Sequence, residues 1–394
     1  MDERTGFPKV GMVGGGQLAR MTHQAAVAIG QSLHVLAVTA DEPAPLVSPN
    51  VTLGHHTDLG ALRGFAAGVD VLTFDHEHVP TEHLRALVAD GVKVHPGPDA
   101  LVHAQDKLVM RRKLAALGLP IPEFAEVTDV SDVVKFGDAV GWPCVLKAAR
   151  GGYDGRGVWM LDSAAEASSL VPELLAAGTP LLVEQRVAMR RELAALVARS
   201  PFGQGASWPV VETVQVDGIC VEVLAPAPGL SEDRARSAQD LALRVADELG
   251  VVGVLAVELF ETDAGVVVNE FAMRPHNSGH WTIEGALTSQ FEQHLRAVLD
   301  YPLGATDQVA PAVVMANVLG AAETPSMGVD ERLHHLFARY PDARAHFYGK
   351  RERPGRKVGH VTFLGAEMTG VRARATLAAH WLSTATWQDG YEIH

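Results

Sequence analysis

The stretch PCVLKAARGGYDGRGVWML at 143–161 constrains this chain more than any other part of it. An apolar run delivers Lys147. Gly151, Gly152, Gly155 and Gly157 follow, and a second apolar run closes the unit. The pattern predicts a strand, a glycine-rich hairpin and a second strand. A lysine fixed at a strand end can stand against phosphate oxygens as a point charge. Glycine backbone can approach a polyphosphate closely and offer it amide donors. This is not a Walker loop, because no Gly-Lys-Ser/Thr opens a helix. An ordinary flexible hairpin would need neither the lysine nor so many glycines.

Composition sets the frame around that motif. A chain of 394 residues, 47% hydrophobic, suits two or three domains with a sizeable core and excludes general disorder. Asp plus Glu number 47 against 33 Lys plus Arg, giving a formal charge of −14. Broad nucleic-acid binding needs a basic face and is not expected. A small anionic ligand remains possible, because a few cations and amides can hold it locally. Two cysteines, Cys144 and Cys220, exclude a disulfide scaffold and fit a reducing compartment. No apolar run is long enough for a membrane span, and MDERTGFPKV has no signal-peptide core. A cytoplasmic globular protein is the expectation.

The chain opens as an alternating α/β unit. A strand at Val10–Val13, a turn at Gly14–Gly16, a helix over Gln17–Ile29 and a strand at His34–Ala40 come first. Val69–Phe74, Thr81–Ala89 and Val92–Val94 continue the alternation, which predicts a parallel sheet with helices on both faces. The Pro-rich segment Asp41–Asp58 reads as a surface loop. A helix over Gln105–Leu117 ends at Gly118 and Pro120. Val133–Val140, Cys144–Ala148, Val158–Leu161, Ala164–Ala176 and Leu181–Glu184 suggest a small α+β module. Antiparallel strands are expected at Leu193–Arg199, Val210–Val216 and Cys220–Ala225, and a helix over Asp233–Leu249. A hairpin, Val254–Glu261 and Val266–Phe271, turns around Thr262–Gly265; the tail after Pro311 is mixed and carries the basic stretch YGKRERPGRK at 348–357.

Several motifs carry chemistry, each with a plainer alternative. GGGQLAR at 14–20 offers amides at a helix N-terminus to an anion, but Ala19 stands where a third glycine would complete G-x-G-x-x-G. The alternative is a tight turn that binds nothing. Glu184, ending LLVE, could bond a ribose hydroxyl or lie as an edge charge. Glu258 and Glu270 fall about opposite each other across the hairpin, with Asn269 beside them. If the register turns both to one face, they make a hard-oxygen site for Mg²⁺ (or Mn²⁺) shared with phosphates. A metal would also relieve the cost of carboxylates inside apolar runs. The alternative is two solvent-facing charges. RPHNSGHW at 274–281 is dense in anion-contacting groups, or else a polar loop capping the sheet. The histidines at 55, 56, 76 and 78 lack cysteine partners and an H-E-x-x-H pattern, so zinc is not expected.

Together these residues resemble the ATP-grasp superfamily, and within it the 5-(carboxyamino)imidazole ribonucleotide synthase family. The likeness runs over nearly the whole chain. It is carried by GGGQLARM, DVLTFDHEHV, VHPGPDAL, QDKLVMRRKLAALGLP, PCVLKAARGGYDGRGV, EQRV, VNEFAMRPHNSGHWT and GKRERPGRKVGH. The resemblance implies an α/β and α+β architecture. Its parts would be a Rossmann-like preATP-grasp domain at 1–104, a small lid domain at 105–188 and a C-terminal ATP-grasp domain at 189–394, with a small terminal subdomain from about 310.

The resemblance also implies roles by position. Lys107 and Lys147 would meet ATP phosphates, covered by the lid residues Gly152, Tyr153, Asp154, Gly155, Arg156, Gly157 and Val158. Glu184, Gln185, Arg186, Val187 and Glu192 would hold adenine and ribose, and Asn269 and Glu270 would complete the ATP site. Glu258 and Glu270 would ligate the metal. The ribonucleotide would meet Gly15, Gln17, Leu18, Glu77, Tyr153, Asp154, Arg156, His276, Asn277, Lys350, Arg356 and Lys357. Lys147, Asp154, Asn269 and Arg274 would act in the chemistry, with Asp154 handling the amine proton. Two departures stand out: Asp75 where the family usually has glutamate, and Thr213 and Gln215 where relatives often carry Asn and His.

The implied reaction is ATP- and bicarbonate-dependent carboxylation of aminoimidazole ribonucleotide through carboxyphosphate, in purine biosynthesis, by a homodimer. Other readings are another ATP-grasp ligase of purine metabolism, a nicotinamide-dependent oxidoreductase built on the first turn, and a non-catalytic nucleotide-binding protein. The oxidoreductase reading leaves Lys147 and the paired glutamates without purpose. Because the substrates are all anions, Lys107, Lys147, Arg274, Lys350 and Arg356 should gather in one cleft of an otherwise negative molecule.

Overall fold

The computed structural model describes residues 1–152 and 156–391. Three sheets organise it. The first holds β1 (Lys9–Val13), β2 (Ser32–Ala37), β3 (Val51–Leu53) and β4 (Val71–Phe74), all parallel, in the order β3-β2-β1-β4. Val10, Met12, Val13 and Leu36 are buried to within 1% of full occlusion, as strands covered on both faces require. Helix α1 (Gln17–Ala28) connects β1 to β2, α2 (Leu59–Ala66) connects β3 to β4, and α3 (Thr81–Ala89) follows β4.

Three expectations here are corrected. The Pro-rich segment contains β3, whose three residues pair with β2; Thr52 and Leu53 are exposed, so no buried alternation advertised it. Val92–Val94 makes only a single bridge, Leu72 to Val94. The helix expected over Gln105–Leu117 starts two residues later, as α5 (Lys107–Ala116), and a separate, unexpected helix, α4 (Pro98–Gln105), precedes it. Asp106 breaks them. Its backbone is extended and its carboxylate accepts from the Leu108 and Val109 amides, capping α5.

The second sheet is antiparallel: β5 (Phe124–Val127), β6 (Cys144–Ala148), β7 (Val158–Leu161) and β8 (Leu181–Gln185), ordered β5-β8-β6-β7. Helices α6 (Val130–Val140) and α7 (Ala164–Ala176) cover one face of it over a core of Cys144, Leu146, Leu161, Val171 and Val183. Asp129 and Asp132 form a capping box at the start of α6.

The third sheet has nine strands, all antiparallel. They are β9 (Arg191–Arg199), β10 (Gly205–Ser207), β11 (Val211–Val216), β12 (Ile219–Ala225), β13 (Gly253–Glu261), β14 (Val266–Ala272), β15 (Ala312–Leu319), β16 (Arg344–Phe347) and β17 (Lys357–Gly365). The order is β14-β13-β9-β11-β12-β15-β17-β16, with β10 on β9. Helices α8 (Glu232–Glu248), α11 (Val329–Arg339) and α12 (Met368–Thr384) pack on one of its faces, and α9 (Thr282–Gly285) and α10 (Gln290–Val298) on the other. The tail after residue 310 adds its strands to this sheet through the β12–β15 ladder, while α11 and α12 pack a core of their own against it. The first sheet is tied to the third by Leu18, Met21, Phe291 and Tyr348, and by Thr73 against His294 at 2.7 Å. Among the described residues no helix is long and apolar enough to cross a membrane.

Candidate active site

A cavity of about 1000 Å³ opens between the second and third sheets. Lys107, Lys147, Glu192, Glu258, Asn269 and Glu270 line it. The β13–β14 hairpin settles the register that sequence left open. Glu258 pairs directly with Glu270, and the next pair is Leu259 with Val268. Asn269 is therefore the extra residue of a β-bulge. Alternation alone would turn Asn269 and Glu270 to opposite faces. The bulge instead lets both reach the cavity.

The lysines find carboxylates on that wall. Lys107, at the start of α5, bonds Glu270. Lys147, on β6, bonds Glu184 Oε2 at 2.8 Å and Asn269 Oδ1 at 3.1 Å. Glu184 is 2% exposed and both of its oxygens are engaged, since Arg111 holds Oε1 at 2.7 Å. The side chain expected at a ribose thus holds Lys147 and Arg111 while lining the cavity. Gln185, Arg186 and Val187 line the cavity beyond it. Gln215 fills its departure by hydrogen-bonding Glu192, and Thr213 also faces the cavity.

Electrostatics separate the paired carboxylates. Burial pushes Glu258 up, aided by Glu270 and Glu192. Burial acts on Glu270 too, but Lys107 and Lys147 overcome it and hold Glu270 down. Both keep an open edge on the cavity, at 25% and 37% exposure. Two facing carboxylates beside an amide are the hard-oxygen donors a divalent cation prefers, and such a cation would favour the ionised form of both. The residues present fit Mg²⁺ or Mn²⁺. Burial, then Arg274 and Lys357, push His276 down to about 3, so its ring is neutral, 3.3 Å from Glu258. Gln290 holds the His276 peptide from both sides, and Asn277 pairs reciprocally with Asn317 at 2.8 and 2.9 Å.

The glycine turn carries a surprise of a different kind. The Gly15 amide donates to Glu42 at 3.1 Å, and the Gly16 amide donates to Asp75. The anion expected there is supplied by this chain's own carboxylates, which is where the shortened Asp75 finds its role. Burial pushes Asp75 up against the pull of Arg274, the Gly16 amide and Lys350. Lys350 reaches back to Gln17, and Arg274 pairs with Glu77 at 2.9 Å. The Leu18 side chain is core, packed with Met21, Phe291 and Tyr348.

The cations expected in one cleft divide. Lys107 and Lys147 line the cavity, joined there by Lys357. Arg274 and Lys350 gather around Asp75, and Arg274 also acts on Glu258, so it stands where the two groups meet. Arg356 lies on an exposed loop, donating to the Arg351 carbonyl, and Arg156 is likewise exposed. Gly152 and Val158 flank Tyr153, Asp154 and Gly155, which fall outside the described residues. Rings of His55, His56, His76 and His78 lie 4.5–5.1 Å from their neighbours. Among the described residues no group of three His, Cys, Asp or Glu is placed to hold a metal. Sequence reasoning missed Arg111. The available signal was its place three residues from both Leu108 and Leu114, on the buried stripe of α5.

Comparison with known proteins gives this geometry its context. Residues 7–105 match the ribonucleotide synthetase preATP-grasp domain, 112–291 the ATP-grasp domain, and 313–374 the phosphoribosylaminoimidazole carboxylase C-terminal domain. The N5-carboxyaminoimidazole ribonucleotide synthase of Mycobacterium tuberculosis is 67% identical over 388 residues, covering 98% of this chain and 90% of its own. The chain belongs to the N5-carboxyaminoimidazole ribonucleotide synthase family. The synthase of Corynebacterium ammoniagenes is 47% identical over 396 residues, with 98% of this chain and 94% of its own covered. Among solved synthases, that of Thermus thermophilus superposes with a TM-score of 0.85 at 37% identity, covering 97% of this chain and 100% of its own. That of Aspergillus clavatus, in complex with ADP and 5-aminoimidazole ribonucleotide, gives 0.86 at 32%, covering 95% and 98%. The oxidoreductase reading of the first turn has no support, since both turn amides are occupied and the family is an ATP-grasp one.

Proposed function

We propose that this chain carboxylates 5-aminoimidazole ribonucleotide on its exocyclic amine, using ATP and bicarbonate, as an ATP-dependent ligase of purine biosynthesis. The observation that carries the residue-level reading is Glu258 facing Glu270 across the bulged hairpin, with Lys107 and Lys147 on the same wall. Lys107 and Lys147 bind and orient the ATP phosphates. Glu258 and Glu270, with Asn269, would hold Mg²⁺ or Mn²⁺, which when bound neutralises charge on the transferring phosphoryl group. A bicarbonate oxygen attacks the γ-phosphorus and ADP leaves. The amine then attacks the carbonyl carbon of carboxyphosphate, phosphate departs with the C–O electrons, and the amine loses a proton. Asp154 is assigned to that proton. Arg274, which acts on both Asp75 and Glu258, would steady the anion in this reading.

In this reading Glu192, Gln185, Arg186 and Val187 hold the nucleoside. Tyr153, Arg156, Glu77, His276, Asn277, Gln17, Lys350, Arg356 and Lys357 hold the ribonucleotide, and Gly15 and Leu18 act through backbone. The domains divide at about 104 and 188. The site lies in a cytoplasmic homodimer; two buried cysteines, Cys144 and Cys220, suit a reducing compartment. ADP release measured with each substrate omitted in turn tests the reaction. Full turnover without bicarbonate or without the ribonucleotide would overturn it. Sedimentation of the purified chain tests the dimer.

A further inference from the structure

A closed ring of side chains sits under the lysine end of the cavity. Arg111 is fully buried on α5. Its Nε donates to Glu184 Oε1 at 2.7 Å, and its two terminal nitrogens donate to the backbone carbonyls of Val268 at 3.2 Å and Asn269 at 2.6 Å. Glu184 Oε2 holds Lys147 at 2.8 Å, and Lys147 donates to the Asn269 side chain at 3.1 Å. The circuit returns to Asn269, the residue whose backbone Arg111 grips. It ties together α5, the small sheet through β6 and β8, and the bulge of β14 beside Glu270.

We propose that Arg111 is a positioning residue for the reaction, fixing Lys147 and Asn269 where ATP phosphates arrive and leaving Lys147 a net charge to offer them. The inference rests on Lys147 being the phosphate ligand of the function proposed above. Lys147 paired with Glu184 alone would be a neutral couple. With Arg111 the three groups carry one net positive charge, which an incoming phosphate can meet. The planar fork matters as much as the charge, because it spans a carboxylate and two carbonyls at fixed angles; lysine has one donor centre and cannot. A buried ion pair is a poor device for stability alone, since apolar replacements often do as well.

The test uses the full chain with Arg111→Met, Arg111→Lys, Glu184→Gln and the double variant Arg111→Met/Glu184→Gln. ADP release is measured with each substrate varied, and MgATP binding by calorimetric titration. Losing these charge-assisted bonds should weaken MgATP binding and raise the ATP KM about tenfold or more in Arg111→Met, with kcat lowered. The ribonucleotide KM should stay within about twofold. Arg111→Lys should recover part of the loss, and the double variant should be no worse than its weaker parent, because both break one ring. MgATP affinity and ATP KM at wild-type values in Arg111→Met would overturn the proposal, as would a loss confined to the amount of folded enzyme. If Arg111→Met does not fold, wild-type ATP KM in both Arg111→Lys and Glu184→Gln overturns it instead. Failure of the proposed reaction would show separately, as wild-type protein that binds MgATP but releases no ADP on adding bicarbonate and ribonucleotide.

Discussion

At the scale of single residues, the site works by giving similar groups dissimilar surroundings. Glu258 and Glu270 are chemically alike, yet one is pushed up by burial and the other held down by two lysines. Glu270→Ala should therefore cut ADP release about a hundredfold or more. It should change stability by less than about 1 kcal/mol, because its pair with Lys107 opens on the cavity. Steady-state assays beside a urea titration check both, and retained turnover would remove Glu270 from the metal site. Arg356→Ala should raise the ribonucleotide KM more than the ATP KM; both KM values unchanged from wild type would make the 350–357 loop structural. Residue types were the most readable part of the site. Lys147, Glu258 and Glu270 stand out in the sequence because charges at strand ends and inside apolar runs need a reason, and Asn269 stands out as the amide beside Glu270. Arg111 did not, because MRRK looks like the solvated side of a helix until Leu108 and Leu114 are seen flanking it.

At the scale of elements, legibility depended on whether a signal was local. The first α/β unit and the hairpin were readable from periodicity and turn residues. The short helix α4 was not, because it buries only Pro98, Ala100 and Leu101 at its start and shows no sustained apolar stripe. The bulge that turns Asn269 inward leaves no local mark either; it is a matter of pairing with β13. Carboxylates at the glycine turn come from residues 42 and 75, distant in sequence from residues 15 and 16. That turn makes an element-scale prediction. A Cβ on Gly16 would stand 2.2 Å from the Asp75 carboxylate. Gly16→Ala should cost about 1–3 kcal/mol of stability. It should also raise the ribonucleotide KM while sparing the ATP KM, because the displaced Asp75 faces Arg274 and Lys350. An unchanged denaturation midpoint would show that the turn has slack.

At the scale of the whole molecule, the first and third sheets are joined by a histidine that must stay neutral. His294 accepts the Val254 amide on Nδ1 at 3.1 Å and meets Thr73 on Nε2 at 2.7 Å. Burial, then the charge of His95, lower it to about 3 from the ordinary 6.5. With the folded value depressed, the stabilisation is full above pH 6.5 and is lost as pH falls towards 3. The slope for this one group is about 1.4 kcal/mol per pH unit. His294→Gln should flatten the dependence of unfolding free energy on pH between 6.5 and 5, read by urea titration; an unaltered slope would acquit His294. The third sheet has a further consequence, one of timing. β12 finds its outer neighbour only in β15, roughly 90 residues later in the chain. At roughly 5–20 residues per second, a ribosome leaves that edge unpaired for several seconds to nearly twenty during each synthesis. Nascent chains paused within that window should be the ones that recruit chaperones or aggregate.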